Sequence, residues 1–255
     1  MSKIKMRDEQ KGVFFLSVIF LIIVFVIVIM SISLKNDTVS EKIADDQVIR
    51  FLTVVDDNNG SAVFSNLLIL YPVSNKAVVV NIPGNIGAIY QSLGRVDRID
   101  DVYKEKGIEI YKKEVETLLG CNIPFYSVIK LNDFSEITDM LGGLRVFIPS
   151  PIDEVSESGE RWLLPSGAVT LDGDKIKTYI NYRLEDEADS EILERYQNVI
   201  VSFFTTLHDR KDRIFAKKKF FKNYNKLIKT NLSKNDTYKL FSLISNMDSE
   251  SVIRQ

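Results

Sequence analysis

LDGDKIKTYINYRLEDEADSEILERYQ, residues 171–197, is the stretch on which the fold and the function both turn. Leu171, Asp172 and Gly173 form a turn, and Lys177 to Arg183 then alternates like a strand. That period of two places Tyr179 and Arg183 on one face, with Asn181 between them. An acidic connection follows, and Ile192 to Leu207 opens a helix carrying Arg195. A strand-end arginine and a helix-start arginine aimed at one pocket suit a phosphate or pyrophosphate group. The same residues permit a plainer reading, in which the acidic run Glu185 to Glu194 holds an arginine in place.

Upstream, Val48 to Val55 is a β-branched strand running into Asp56 and Asp57, and Asn58, Asn59 and Gly60 make a turn. Asn66 to Tyr71 and Ala77 to Ile82 are near-continuous apolar strands, the pattern of a sheet covered on both faces. Val102 to Leu119 has apolar residues at helical spacing and stops at Gly120. Phe125 to Leu131 reads as a strand, Phe134 to Leu141 as a helix and Leu144 to Ile148 as a strand. Pro149 to Gly167 reads as a polar loop with Trp162 and Leu163 folded back, and from Arg195 onward the chain looks helical to its end. The expected fold is α/β, a central mixed sheet with helices on both sides.

Gly12 to Leu34 contains no charge, and its roughly 23 residues would span about 34 Å as a helix, enough for a membrane crossing. No small-residue cleavage site follows it, so a retained span is expected rather than a signal peptide. Lys3, Lys5, Arg7 and Lys11 precede the span, which places the N-terminus in the cytoplasm and the large domain outside. The expected organisation is a cytoplasmic segment 1–11, a transmembrane helix 12–34, a linker 35–47 and an extracytoplasmic domain 48–255. Cys121 is the lone cysteine and His208 the lone histidine, so neither an internal disulfide nor a zinc site is expected. A net charge of −2 gives no reason to expect nucleic acid. Residues 210–229 are nonetheless rich in lysine and arginine. They read as a solvated helix face or as a site attracted to anionic headgroups or an anionic glycopolymer.

The 171–197 pattern resembles the LytR-CpsA-Psr family of bacterial cell-envelope proteins. Members show a turn "Leu-Asp-Gly", a strand "Tyr-x-Arg-x-Arg", then "Asp-x-x-Arg-x-x-Arg-Gln". Leu171, Asp172, Gly173, Tyr179, Arg183, Asp189 and Arg195 match, whereas Asn181 and Ile192 stand where arginines are expected. The resemblance runs from about Val48 to Met247. "Ile-Pro-Arg-Asp" becomes Ile82-Pro83-Gly84-Asn85, and "Val-Asp-x-Leu-Gly-Gly-Val" is nearly whole as Thr138 to Leu144. "Lys-Ile-Asn-x-Ala-Tyr" resembles Arg98 to Tyr103, and Lys229-Thr230-Asn231-Leu232-Ser233 matches the C-terminal "Lys-Thr-Asn-Leu-Ser". Kept positions set turns and close packing, whereas lost ones are charges.

The resemblance implies a membrane-anchored envelope protein that transfers a glycopolymer phosphate from a polyprenyl-pyrophosphate carrier to an acceptor such as peptidoglycan. On that reading Arg183, Arg195 and Asp189 are catalytic, and Arg98, Tyr179 and Asn181 bind substrate. Magnesium would be held by Asp56 and Asp189. The alternative is a catalytically inactive relative that binds a polyprenyl lipid or a protein and serves as an envelope scaffold or regulator.

Overall fold

The computed structural model describes residues 19–25, 38–45, 47–155, 159–216, 226–247 and 252–254. The chain divides into two units, Met1–Asp37 and Thr38–Gln255. In the first, residues 19–25 are helical; the rest of the expected 12–34 span and the segment 1–11 lie outside the described residues. Among the described residues, no helix is long and apolar enough to cross a membrane.

The second unit is built on a six-stranded sheet. Its strands are β1 (Ile49–Asp56), β2 (Ala62–Tyr71), β3 (Lys76–Ile82), β6 (Phe125–Lys130), β11 (Ile228–Thr230) and β12 (Val252–Arg254), in the order β11-β6-β1-β2-β3-β12. Two hairpin strands, β4 (Gly87–Tyr90) and β5 (Arg95–Arg98), intervene in the chain. β1 pairs antiparallel with β2 but parallel with β6, so the sheet is mixed. Alternation along β1 divides its apolar side chains between two cores. Ile49, Phe51 and Val55 enter one cluster, Leu52 and Val54 the other.

Helix α1 (Val39–Ala44) packs its buried Val39 into the first cluster. The second face is covered by α2 (Ile99–Leu119), through Ile99, Val102, Tyr111 and Val115. The first face is covered by α3 (Leu131–Leu141), α4 (Gly173–Asn181), α5 (Asp189–Asp209) and α7 (Lys234–Asn246), with the short α6 (Lys211–Ala216) after α5. Helices thus lie on both sides of the sheet, as the two-sided apolar strands require.

Three sequence expectations are corrected. Lys177 to Arg183 is not a strand: residues 173–181 are helical, and Arg183 follows the helix end at Tyr182. The buried positions Ile176, Tyr179 and Ile180 have helical spacing. Asp172 caps the helix by accepting from the Lys175 amide at 3.0 Å. The cap and the i, i+3, i+4 burial outweigh the apparent alternation. The chain after Arg195 is likewise not wholly helical, because β11 and β12 complete the two edges of the sheet. The segment 149–167 also carries structure of its own, a hairpin of β8 (Ile152–Val155) and β9 (Arg161–Leu164), before β10 (Gly167–Leu171).

The kept motifs meet in space. β10 pairs with β7 (Leu144–Ile148), so Leu171 faces Leu144. Asp139 accepts from the Gly173 amide at 2.8 Å, which ties the Gly142–Gly143 turn to the Leu-Asp-Gly turn. A Cβ on Gly173 would lie 2.5 Å from the Ser135 carbonyl and 2.7 Å from Asp139. Gly173→Ala should therefore destabilise the fold by about 1–3 kcal/mol through overpacking, read as a lowered urea midpoint. An unchanged midpoint would mean that this contact has slack.

Candidate functional site

A cleft of about 300 Å³ lies beside the sheet where β2 begins and β3 ends. Arg98, Asp100, Asn85, Arg183, Asp189 and Tyr196 line it. Arg98 closes β5, Asp189 opens α5 and Arg183 follows α4, so residues remote in sequence converge there. Both cleft arginines are already engaged. Arg98 forms a two-point pair with Asp100, Nε to Oδ1 at 2.9 Å and Nη2 to Oδ2 at 2.5 Å. Arg183 donates through Nη1 to the carbonyls of Ile180 at 2.8 Å and Tyr182 at 2.6 Å, and through Nη2 to the Tyr196 hydroxyl. These carbonyls stand at the negative end of α4, where a cation is favoured.

Arg195 does not line the cleft. It is buried, paired with Glu187, donates to the Tyr182 carbonyl and lies against the rings of Tyr179 and Tyr182. Burial, with the neighbouring Arg183 charge, holds its pKa below the usual guanidinium value. Glu187 belongs to the acidic run, so at Arg195 the arrangement matches the plainer of the two sequence readings. Tyr179 is buried, and burial raises its pKa. Asn181 ends α4 as an exposed residue outside the cleft lining.

The carboxylates expected to share a metal lie apart. Asp189 lines the arginine cleft, whereas Asp56 lines a different one. Asp56 Oδ1 accepts from the amides of Asn58 and Gly60, and Oδ2 accepts from the Tyr103 hydroxyl. Among the described residues, no three His, Cys, Asp or Glu side chains converge as a metal set. Asn85 instead donates to Asp189 Oδ2 at 2.8 Å. An amide hydrogen thus occupies the contact that a second carboxylate would need a cation to bridge. At Gly84 a Cβ would lie 2.9 Å from Asp100 Oδ2, so Asp100 crowds the place of the expected arginine. The donor set fits magnesium poorly.

A separate apolar cavity of about 80 Å³ lies between the sheet and helices α5 and α7. Phe51, Leu68, Phe204 and Leu240 are among its walls. Thr230, Ser127, Thr53 and Asn66 also line it, aligned in register across four strands. Buried Asn66 Oδ1 has no partner there. At this volume the cavity has room for only a few water-sized groups, so a long hydrocarbon chain requires the covering helices to part.

Tyr196 and Asp100 are the cleft residues that motif reading undervalues. Tyr196 lies four residues after Ile192, and both line the cleft, so helical spacing is the signal for it.

The architecture is an α/β domain with charged residues gathered at one end of the sheet. The sequence profile of the LytR_cpsA_psr family matches residues 67–255, and the chain belongs to this family. The polyisoprenyl-teichoic acid–peptidoglycan teichoic acid transferase TagU of Bacillus anthracis is 24% identical over 155 residues, covering 59% of this chain and 50% of the relative. TagU of Bacillus licheniformis is 22% identical over 213 residues, covering 82% and 68%. The chain thus spans about half the length of the first of these relatives. The crystal structure of B. subtilis TagV superposes with a TM-score of 0.71 at 18% identity, covering 82% of this chain and 84% of that one. TagT bound to LI-WTA gives 0.66 at 20% identity, covering 83% and 78%. At these identities the likeness shows a shared fold.

Two outcomes follow from the geometry. Glu187→Ala leaves Arg195 buried without its carboxylate and should cost about 3–5 kcal/mol, whereas Glu187→Ala with Arg195→Met should recover much of that loss in chemical denaturation. Equal midpoints for the two variants would show that Arg195 is not held by Glu187. Asn85→Asp sets two carboxylates face to face, so its melting midpoint should fall in EDTA and recover with magnesium. The parent midpoint should not respond to the ion.

Proposed function

We propose that the chain binds the pyrophosphate of a polyprenyl-linked glycopolymer at the Arg98–Arg183 cleft and transfers the glycopolymer phosphate to an envelope acceptor such as peptidoglycan. The observation that carries this reading is the convergence of Arg98, Arg183 and Asp189, from three separate elements, on one cleft. Family membership supports cell-envelope glycopolymer transfer as the class of activity.

In the proposed step the acceptor hydroxyl oxygen attacks the glycan-bearing phosphorus. The bond from that phosphorus to the bridging oxygen breaks, and polyprenyl phosphate leaves. Arg98 and Arg183 offset charge on the phosphoryl oxygens, the work that dominates phosphoryl transfer. Asp189 takes the hydroxyl proton, while its bond from Asn85 fixes its orientation. Magnesium has no assigned step here. The lipid chain would enter beside the sheet, and a span over residues 12–34 would hold the domain at the outer membrane surface.

A second reading has its own observation. Among the described residues, each arginine near the cleft is engaged within the protein, Arg98 by Asp100, Arg183 by two carbonyls and Arg195 by Glu187. Substrate must displace these contacts or share the donors, so a relative that binds the lipid carrier without turning it over is the alternative.

Full-length protein in detergent, incubated with labelled polyprenyl-pyrophosphate glycan and peptidoglycan, with and without magnesium, separates the two. Transfer predicts release of polyprenyl phosphate. Loss of one charge-assisted contact in Arg183→Ala is worth about 1.5–3 kcal/mol, so turnover should fall roughly ten- to hundredfold. Lipid that binds stoichiometrically and is never cleaved would leave the binding reading standing instead.

A further inference from the structure

A second cleft, of about 960 Å³, lies where α2, the β6–β11 edge and the start of α7 come together. Five lysines line it: Lys104 on α2, Lys130 at the end of β6, Lys226 just before β11, Lys229 within β11 and Lys234 at the start of α7. All five are exposed, and none forms an ion pair with a described residue. The whole chain carries a net charge of −2, so this is a local concentration of positive charge against the overall balance. Two carboxylates share the lining, Asp56 and Asp133. Asp56 is already held by two amides and the Tyr103 hydroxyl. Burial raises the pKa of Asp133, with Lys130 opposing the shift.

A single small anion calls for a few donors fixed in place. These lysines stand on flexible stems, spread over four elements and the approach to one of them, with no partner among the described residues to hold them. Such a set is matched by a ligand that repeats its charge. A flexible chain with one phosphate per unit meets several lysines at once and releases their counterions. A membrane surface is the rival anionic partner. An interfacial site inserts exposed apolar side chains, and among the described residues none of the exposed large hydrophobic ones lines this cleft.

We propose that the lysine cleft binds a flexible anionic polymer with repeating phosphate groups. It adjoins the arginine cleft at the β1–β2 end, because Asp56 lines one and its cross-strand partner Ala62 lines the other. One polymer chain can therefore reach both. Binding here does not require turnover at the arginine cleft, and it gives Lys226 and Lys229 a ligand.

The test is fluorescence anisotropy of full-length protein in zwitterionic detergent with labelled linear polyphosphate, over a range of salt concentrations. Saturable binding should weaken steeply with salt. The triple variant Lys130→Gln, Lys229→Gln, Lys234→Gln should bind at least about tenfold more weakly at low salt, with the log–log salt slope reduced by about 2. A control triple at exposed lysines outside the cleft, Lys76→Gln, Lys113→Gln, Lys239→Gln, should bind like the parent. The lysine triple should bind the polymer weakly whether or not the protein releases polyprenyl phosphate from a labelled glycan, which keeps this result distinct from the fate of the transfer reading. No saturable binding, or equal losses in both triples, would overturn the proposal. Displacement of the polymer by dihexanoyl-phosphatidylglycerol at lower phosphate concentration than by unlabelled polymer would make the cleft a lipid-headgroup site and overturn it equally.

Discussion

Two guanidinium groups, those of Arg183 and Arg195, donate to one carbonyl oxygen, that of Tyr182. Like charges so close repel, and one of them is buried, so the corner between α4 and α5 needs compensation from several directions. Glu187 supplies a full negative charge, the end of α4 supplies unpaired carbonyls, and Tyr179, Tyr182 and Tyr196 supply ring faces. A buried pair of this kind contributes little net stability but is costly to break on one side. Its consequence is positional. Tyr196 stacks on Phe64 with ring centroids 4.6 Å apart, so the corner is locked to β2, and Arg183 is thereby held at the cleft wall.

The cleft combines a preserved frame with neutralised charges. Gly84 and Asn85 replace an arginine and an aspartate of the family pattern, and each replacement has a visible structural answer. Asp100 crowds Gly84 and pairs with Arg98, and Asn85 supplies Asp189 with a hydrogen bond in place of a second carboxylate. The charges that remain are satisfied within the protein. A substrate phosphate competes with partners already in place, which is why binding and turnover are separate questions at this site.

Much of the fold is legible from local pattern. The two-sided apolar runs at Asn66 to Tyr71 and Ala77 to Ile82 mark central strands, and Gly120 and Gly142 mark helix ends in left-handed conformation. Lys177 to Arg183 has the alternation of a strand because a short helix can mimic that period when its exposed positions are polar. Only burial of Ile176, Tyr179 and Ile180 against the core decides between the two. The edge strands β11 and β12 are three residues each, too short for a period to show. Their pairing is tertiary: Thr230 and Asn231 bond to Tyr126 and Pro124 on and before β6.

At the site, sequence alone determined which ionisable groups exist and which turns surround them: Arg98, Arg183, Asp189 and Arg195, framed by Pro83, Gly173 and the Gly142–Gly143 pair. It also determined that charges are fewer than the family pattern expects, since Gly84, Asn85, Asn181 and Ile192 carry none. Tertiary structure decided which of the remaining charges face the cleft. Arg195 is turned inward to Glu187, Asp56 is drawn into a neighbouring cleft, and lysines from separate elements are gathered around it. The physical reason is that a residue's charge is intrinsic, whereas its availability depends on partners brought close by chain crossings far away in sequence.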